Sequence, residues 1–184
     1  MVTPNPRPTS PVVDPICFVD IETTGLDPRR HAIWEVGVVR VDAAGRSEFE
    51  WQVEIPPGAE ADPEALKVGG YYERRRDPVH DPYRVANELW VLLEGAYLAG
   101  AAPSFDAAFL GHFLRAHDRP PQPWKHRLLC VETYAAGACG WPVPVSLSET
   151  CERLGVERRD AHTALADART AEAVYCEILD PHRE

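Results

Sequence analysis

The sequence is short of several things, and each shortage closes off a class of protein. No apolar run approaches the roughly 20 residues needed to cross a bilayer. The opening Met1–Pro11 is rich in proline and has no apolar leader core. The expectation is a cytoplasmic protein, with residues 1–12 a disordered proline-rich lead-in and residues 13–184 one domain. The five cysteines are an odd number and include no C-x-x-C pair, so zinc-site spacing is absent. Cys17 and Cys130 lie in strand-like runs and Cys151 and Cys176 in helical ones, so most are read as small core residues carrying free thiols. Positive charge is scarce: 19 Lys and Arg stand against 29 Asp and Glu, a net charge of −10. That excludes a general electrostatic nucleic-acid binder. It does not exclude an enzyme that holds a nucleic-acid end at an acidic site filled by cations, because bound cations change the local sign. Arg74-Arg75-Arg76 and Lys125-His126-Arg127 are the local basic groups, solvated surface in the ordinary case and phosphate contacts in the other. No internal repeat and no second-domain boundary is visible, and 184 residues suffice for one core.

Against this background one stretch stands out, Phe18-Val19-Asp20-Ile21-Glu22-Thr23-Thr24-Gly25-Leu26. It begins as an apolar, β-branched and aromatic strand. Asp20 and Glu22 are two apart, so they project from one face. Buried like charges repel unless something positive lies between them, and a divalent metal is the simplest partner for hard oxygen ligands. The competing reading is an ordinary strand end with solvated acids. Thr-Thr-Gly then breaks the strand.

The remaining pattern predicts a mixed α/β sheet. Ile33–Val41 reads as a second strand, Ala43–Arg46 as a hairpin turn and Ser47–Ile55 as a third strand, all antiparallel neighbours. A short helix from Pro63 to Val68 ends at Gly69-Gly70, and Tyr71-Tyr72 with the arginine run forms a loop. Asp81-Pro82 opens a helix with Val85, Ala86, Leu89, Leu92 and Leu93 on one face. Ala96–Ala101 is a strand. Ser104 then caps a helix in which Phe105, Ala108, Phe109, His112 and Phe113 share a face. A strand at Arg127–Val131, a helix near Glu132–Ala138, a helix from Leu147 to Leu154 capped by Ser146, and a last helix from about Ala161 to Leu179 complete the chain. Strand–helix alternation implies parallel strands with helical crossovers, so the first strand is central and helices cover both faces.

Two further acids fall where they can join the first pair. Asp106 lies in the first turn of a helix that follows a strand, the place where sites form in open α/β sheets; helix-dipole complementation is its bland alternative. His162 and Asp167 are five apart, about 140° around an ideal helix. They can face one site only if His162 sits on the loop or first turn, with Thr163 or Asp160 as the cap. A lone histidine there is otherwise a surface residue. Glu35 is a further acid, read as a strand residue with local hydrogen bonds.

Phe-Val-Asp-Ile-Glu-Thr-Thr-Gly-Leu, then Ser-Phe-Asp-Ala-Ala-Phe-Leu, then His-Thr-Ala-Leu-Ala-Asp-Ala, in that order, resembles the DEDD superfamily of 3′→5′ exonucleases. The histidine five residues before the last aspartate resembles its DEDDh branch, which includes proofreading subunits and ribonuclease T. The resemblance covers roughly Ile16 to Ile178. It implies an RNase H-like mixed five-stranded sheet and metal-dependent release of nucleoside 5′-monophosphates from 3′ ends. Asp20, Glu22, Asp106 and Asp167 would bind two divalent cations, Mg2+ or Mn2+, and His162 would be the general base. Thr23, Thr24, Gly25, Leu26 and Phe105 would meet the terminal nucleotide. The implied partners are single-stranded or frayed 3′ ends, DNA favoured over RNA, and a polymerase or other replication or repair protein. Ala101-Ala102-Pro103 stands where the family often has His-Asn before its Phe-Asp, which leaves the nucleotide contacts there open. Two other readings compete: a catalytically silent nucleic-acid-binding or complex subunit on the same fold, and an RNase H-like endonuclease, which would lack the His-x4-Asp helix and the Thr-Thr-Gly-Leu turn.

Overall fold

In the computed structural model, which describes residues 14–158 and 163–179, five strands form one sheet in the order β3-β2-β1-β4-β5. The proline-rich lead-in, Asp160 and His162 lie outside the described residues. β1 (Ile16–Thr23) takes the middle because both its faces are apolar. It pairs antiparallel with β2 (Ile33–Asp42), which pairs antiparallel with β3 (Gly45–Gln52). On its other edge it pairs parallel with β4 (Tyr97–Gly100), and β4 pairs parallel with β5 (Leu129–Cys130). This is the expected three antiparallel strands followed by parallel ones.

Alternation along β1 divides the molecule into two cores. Cys17, Val19 and Ile21 pack with α3 (Pro82–Leu93) and α4 (Pro103–Ala116) on one face. Phe18 packs with α5 (Val131–Cys139), α6 (Leu147–Leu154) and α7 (Ala164–Leu179) on the other. α1 (Pro63–Val68) and α2 (Tyr71–Arg74) lie between β3 and α3 in the chain. Asp20 and Glu22 continue the Phe18 series, so they emerge on the α7 face.

Several boundaries differ from the sequence reading, each for a local reason. Tyr71–Arg74 is one helical turn rather than loop, started by Gly70 at φ 68°, a left-handed conformation that glycine adopts freely. Pro103 opens α4 as its first residue, so Ser104 lies inside the helix and Ala102 occupies the cap position with no side-chain bond. Of the expected α4 face, Phe109 is buried and Phe105 and Phe113 pack against the core, but the buried stripe is centred on Asp106, Phe109, Leu110 and Leu114, and Ala108 is exposed. β5 is only two residues long because the Cys130 thiol already caps α5 through the Thr133 N–H at 3.5 Å. Among the thiols, all five are free, but Cys176 is exposed rather than in the core.

Candidate active site

The site is built where β1 outruns its parallel neighbour. The β1–β4 register ends at Phe18 opposite Ala99. Past that point the backbone of β1 has no strand on that side, and the Ile21 N–H favours the charged form of the Asp106 carboxyl. Gly100 makes the approach possible, since a Cβ there would fall 2.7 Å from the Val19 carbonyl oxygen and 3.7 Å from Asp106 Oδ2. Asp106 thus reaches the strand end from the α4 side while remaining 4 % exposed.

On the other side β2 supplies the complement. Asp20 pairs with Gly37 and Glu22 with Glu35. Gly37 has no side chain because the first turn of α7 lies on it: a Cβ would sit 2.2 to 2.4 Å from backbone atoms of Ala164 and Leu165. That contact lays the start of α7 across the sheet beside Asp20 and brings Asp167 into the cluster. Thr163 caps the helix, its hydroxyl accepting the Ala166 N–H at 3.2 Å, the role that the sequence offers to Thr163 or Asp160.

Burial and mutual repulsion raise the carboxyl pKa values. Asp20 is pushed well above the usual carboxylate range by desolvation, then by the charges of Asp106, Glu22, Asp167 and Glu35. Desolvation raises Glu22 to about 8 although the Arg74 guanidinium opposes it. Asp106 is raised to about 8 by burial, against the stabilising N–H groups of Ile21 and its own backbone.

Two arginines share this acidic pocket. Arg158 Nη2 meets Asp167 Oδ1 at 2.7 Å. Arg74 lies between the paired acids, Nη1 at 2.7 Å from Glu35 and Nη2 at 3.9 Å from Glu22. As the side chains stand, no three His, Cys, Asp or Glu groups among the described residues are drawn together closely enough to hold one ion. Asp20, Glu22, Asp106 and Asp167 share one neighbourhood, with Asp167 turned toward Arg158 and Glu22 toward Arg74.

Sequence reasoning understates Glu35. It is 1 % exposed, and its partners are not local. The carboxylate accepts from the Gln52 side chain at 2.9 Å, from Arg74 Nη1 at 2.7 and 2.8 Å, and from the Ala164 N–H at 3.0 Å. It therefore fastens β3, α2 and the first turn of α7 to the strand opposite Glu22. An acid two residues before Gly37 is the available signal, but the partners are up to 129 positions distant.

The turn after β1 is rigid. The Thr24 hydroxyl donates to the Glu60 carbonyl at 2.6 Å and accepts from the Ala32 N–H at 3.0 Å, and the residue is fully buried. The Thr24 hydroxyl, expected at the terminal nucleotide, takes part in this internal brace. Thr23 donates to the Gly25 carbonyl at 2.7 Å. Gly25 is required by close approach, since a Cβ would fall 2.3 Å from the His31 ring. Leu26, held at the tip, is 81 % exposed. Phe105 is half-buried and packs on Phe109 with ring centroids 4.8 Å apart. The arginine run is largely spent on the protein: Arg74 as above, and Arg75 on Glu54 at 2.8 Å.

A family model described as exonuclease, of the RNase T type, matches residues 17–175. The DNA polymerase III subunit epsilon of Pasteurella multocida is 26% identical over 184 residues, covering 95% of this chain and 70% of its own length. A PolC-type DNA polymerase III of Thermotoga maritima is 25% identical over 170 residues, which cover 88% of this chain but only 12% of that protein's length. E. coli exonuclease I in complex with a dT13 oligonucleotide superposes with a TM-score of 0.74 at 18% identity, over 92% of this chain and 41% of that one. At that identity the superposition speaks for the fold, which is RNase H-like; the family match rests on the sequence from β1 through α7. On that match the chain belongs to the exonuclease family, within the DEDDh-type 3′→5′ exonuclease superfamily.

Proposed function

We infer that this protein is a metal-dependent 3′→5′ exonuclease acting on single-stranded or frayed 3′ ends, with DNA favoured over RNA. The observation that carries the reading is the convergence of Asp106, Glu22 and Asp167 on a desolvated Asp20. Such a cluster is costly for a structural role, because each charge raises the cost of its neighbours. The donors suit hard divalent cations: all are carboxylate oxygens, and four negative charges about match two such ions. Asp20, Glu22, Asp106 and Asp167 would hold two Mg2+ or Mn2+ ions, which when bound stabilise the attacking and leaving oxygens of an in-line displacement. Holding them requires the Asp167 carboxylate to turn from Arg158.

The chain's own residues supply the rest. His162, four residues before Ala166 and just ahead of the Thr163 cap, takes the proton of the attacking water; its unperturbed pKa near 6.5 suits base work at neutral pH. The terminal P–O3′ bond breaks, a nucleoside 5′-monophosphate departs, and the shortened strand keeps a 3′-hydroxyl. Leu26, exposed at the tip of a braced turn, packs on the terminal base, with Phe105 on the α4 side. Thr23 and Gly25 fix that turn. The epsilon-subunit relatives and the oligonucleotide complex of exonuclease I support a DNA substrate and a polymerase or repair partner.

The test is release of mononucleotides from a 3′-labelled single strand in Mg2+ or Mn2+, on matched DNA and RNA oligomers. Metal-dependent release that His162→Ala and Asp20→Ala abolish is the expected result. An intact preparation that releases nothing from either polymer, or cuts a circular strand equally well, overturns the reading.

A further inference from the structure

Two arginines meet the acids of the site, and they are held very differently. Arg74 is pinned from several sides. Its Nη1 bonds both Glu35 oxygens at 2.8 and 2.7 Å, and its Nε donates to the Gly69 carbonyl at 3.1 Å. The same guanidinium lies 5.0 Å from the centre of the Trp34 ring. Glu22, 3.9 Å from Nη2, is only an outer neighbour. A Glu22 carboxylate that moved to a cation would leave Arg74 where it is.

Arg158 lacks such a frame. It lies on the segment after α6 and reaches across to Asp167 on α7, Nη2 to Oδ1 at 2.7 Å. Its Nε is buried and has no hydrogen-bond partner among the described residues. The two side chains are 20 % and 13 % exposed, so water reaches neither of them freely. When Asp167 turns to a cation, the Arg158 guanidinium loses the carboxylate that Nη2 meets, and a sheltered charge without an anion is costly. A phosphate carries what is then missing. Its oxygens accept from a guanidinium fork at two points, and Nη2 and Nε are two such donors. The phosphate that the reaction acts on also lies beside Asp167, because the cations held there act on its oxygens.

We propose that Arg158 exchanges partners during the reaction, giving up Asp167 and taking oxygens of the phosphate of the 3′-terminal nucleotide. In the free protein Arg158 masks Asp167 against cations. With the nucleotide bound it releases Asp167 to them. Nucleotide and cation then favour each other's binding through this one side chain. The inference rests on the exonuclease reading and adds to it a residue that touches substrate.

The experiment measures binding of Mn2+ and of thymidine 5′-monophosphate to the full chain by calorimetry. It compares wild type with Arg158→Gln and Arg158→Lys. The nucleotide is of the class that the reaction releases, so nothing turns over. Without nucleotide, Arg158→Gln should bind Mn2+ about fivefold more tightly than wild type, since the masking charge is gone. With Mn2+ saturating, it should bind the nucleotide about tenfold more weakly. Arg158→Lys keeps the charge but not the fork, so its Mn2+ affinity should stay within about twofold of wild type while nucleotide affinity falls. This variant also carries the test if Arg158→Gln does not fold. Arg153→Gln, which removes the same charge from an exposed pair with Glu149, is the control and should match wild type. A merely structural pair predicts a lower melting temperature for Arg158→Gln and no gain in Mn2+ affinity. That outcome, or nucleotide affinity unchanged in either Arg158 variant, overturns the exchange and leaves the exonuclease reading standing. A wild-type protein that binds no Mn2+ overturns both.

Discussion

At the scale of single residues, the acids of the site work against the fold. At alkaline pH, where the raised acids ionise, Asp20→Ala or Asp106→Asn removes a desolvated charge from a group of like charges, so the metal-free protein should there melt no lower than wild type. Turnover, in contrast, should fall by roughly 10³-fold, about 4 kcal/mol in the barrier. Calorimetry and mononucleotide release on the same preparations check the two halves; a variant that keeps wild-type turnover refutes the assignment. Glu35 behaves oppositely. Glu35→Ala strands the Arg74 guanidinium and leaves the Ala164 and Gln52 donors without their acceptor. It should cost about 3 kcal/mol of stability, measured by urea unfolding, because an uncompensated charge is left half-buried. The difference between these acids explains what is legible in the sequence. Asp20, Glu22 and Asp106 declare themselves by strand spacing and by position after a strand. Glu35 does not, because its role is set by partners from β3, α2 and α7 that only the folded chain brings together. The brace at Thr24 is hidden for the same reason: the partners of its hydroxyl, Glu60 and Ala32, meet it only in the folded chain.

At the scale of elements, glycines mark where backbones cross, and they separate stability from geometry. Gly37→Ala drives a methyl into the backbone of Ala164 and Leu165 at 2.2 to 2.4 Å. Backbone cannot rotate away as a side chain can, so α7 must shift with Asp167. Both stability and turnover should fall, the former by about 3 kcal/mol. At Gly69 the nearest atom is Glu22 Oε2, 2.6 Å from an added Cβ, and the residue's φ is −72°, which alanine tolerates. Gly69→Ala should therefore leave the melting temperature close to wild type while displacing the Glu22 carboxylate and lowering turnover. Equal effects of the two substitutions on stability would contradict this contrast. Element type and order are readable from hydrophobic period and from the Asp81-Pro82 and Ser146 starts. The errors fall where one residue outweighs the pattern. Pro103 takes the helix start from Ser104, Cys130 cuts β5 short, and the α4 side chains His112 and Phe113 line a pocket with Pro28 and His31 at the margin of the core.

At the scale of the whole molecule, the raised acids tie stability to pH and to divalent ions. Glu22 and Asp106 titrate near 8 in the folded chain, against 4.5 and 3.8 as their ordinary values, and Asp20 is shifted the same way. Between pH 4.5 and about 8 the folded state therefore binds more protons than the unfolded one. Stability must then fall as pH rises through that window, by about 1.4 kcal/mol per pH unit for each excess proton. The shifts of Glu48 and Asp42 run the other way, lowered by their arginine partners. They add stability only as pH rises through the acid range below about 4.5, so they do not cancel the effect near neutrality. Urea unfolding with chelator present should accordingly show a more stable protein at pH 6 than at pH 8. Saturating Mg2+ or Mn2+ binds the ionised carboxylates of the native state alone, so it should raise stability most at pH 8 and flatten the profile. Asp20→Ala and Asp106→Asn should flatten it as well, without metal, by removing the charges that repel. A metal-free profile that rises from pH 6 to pH 8, or a metal effect equal at both, would show that these four carboxylates do not form the shared site inferred for them.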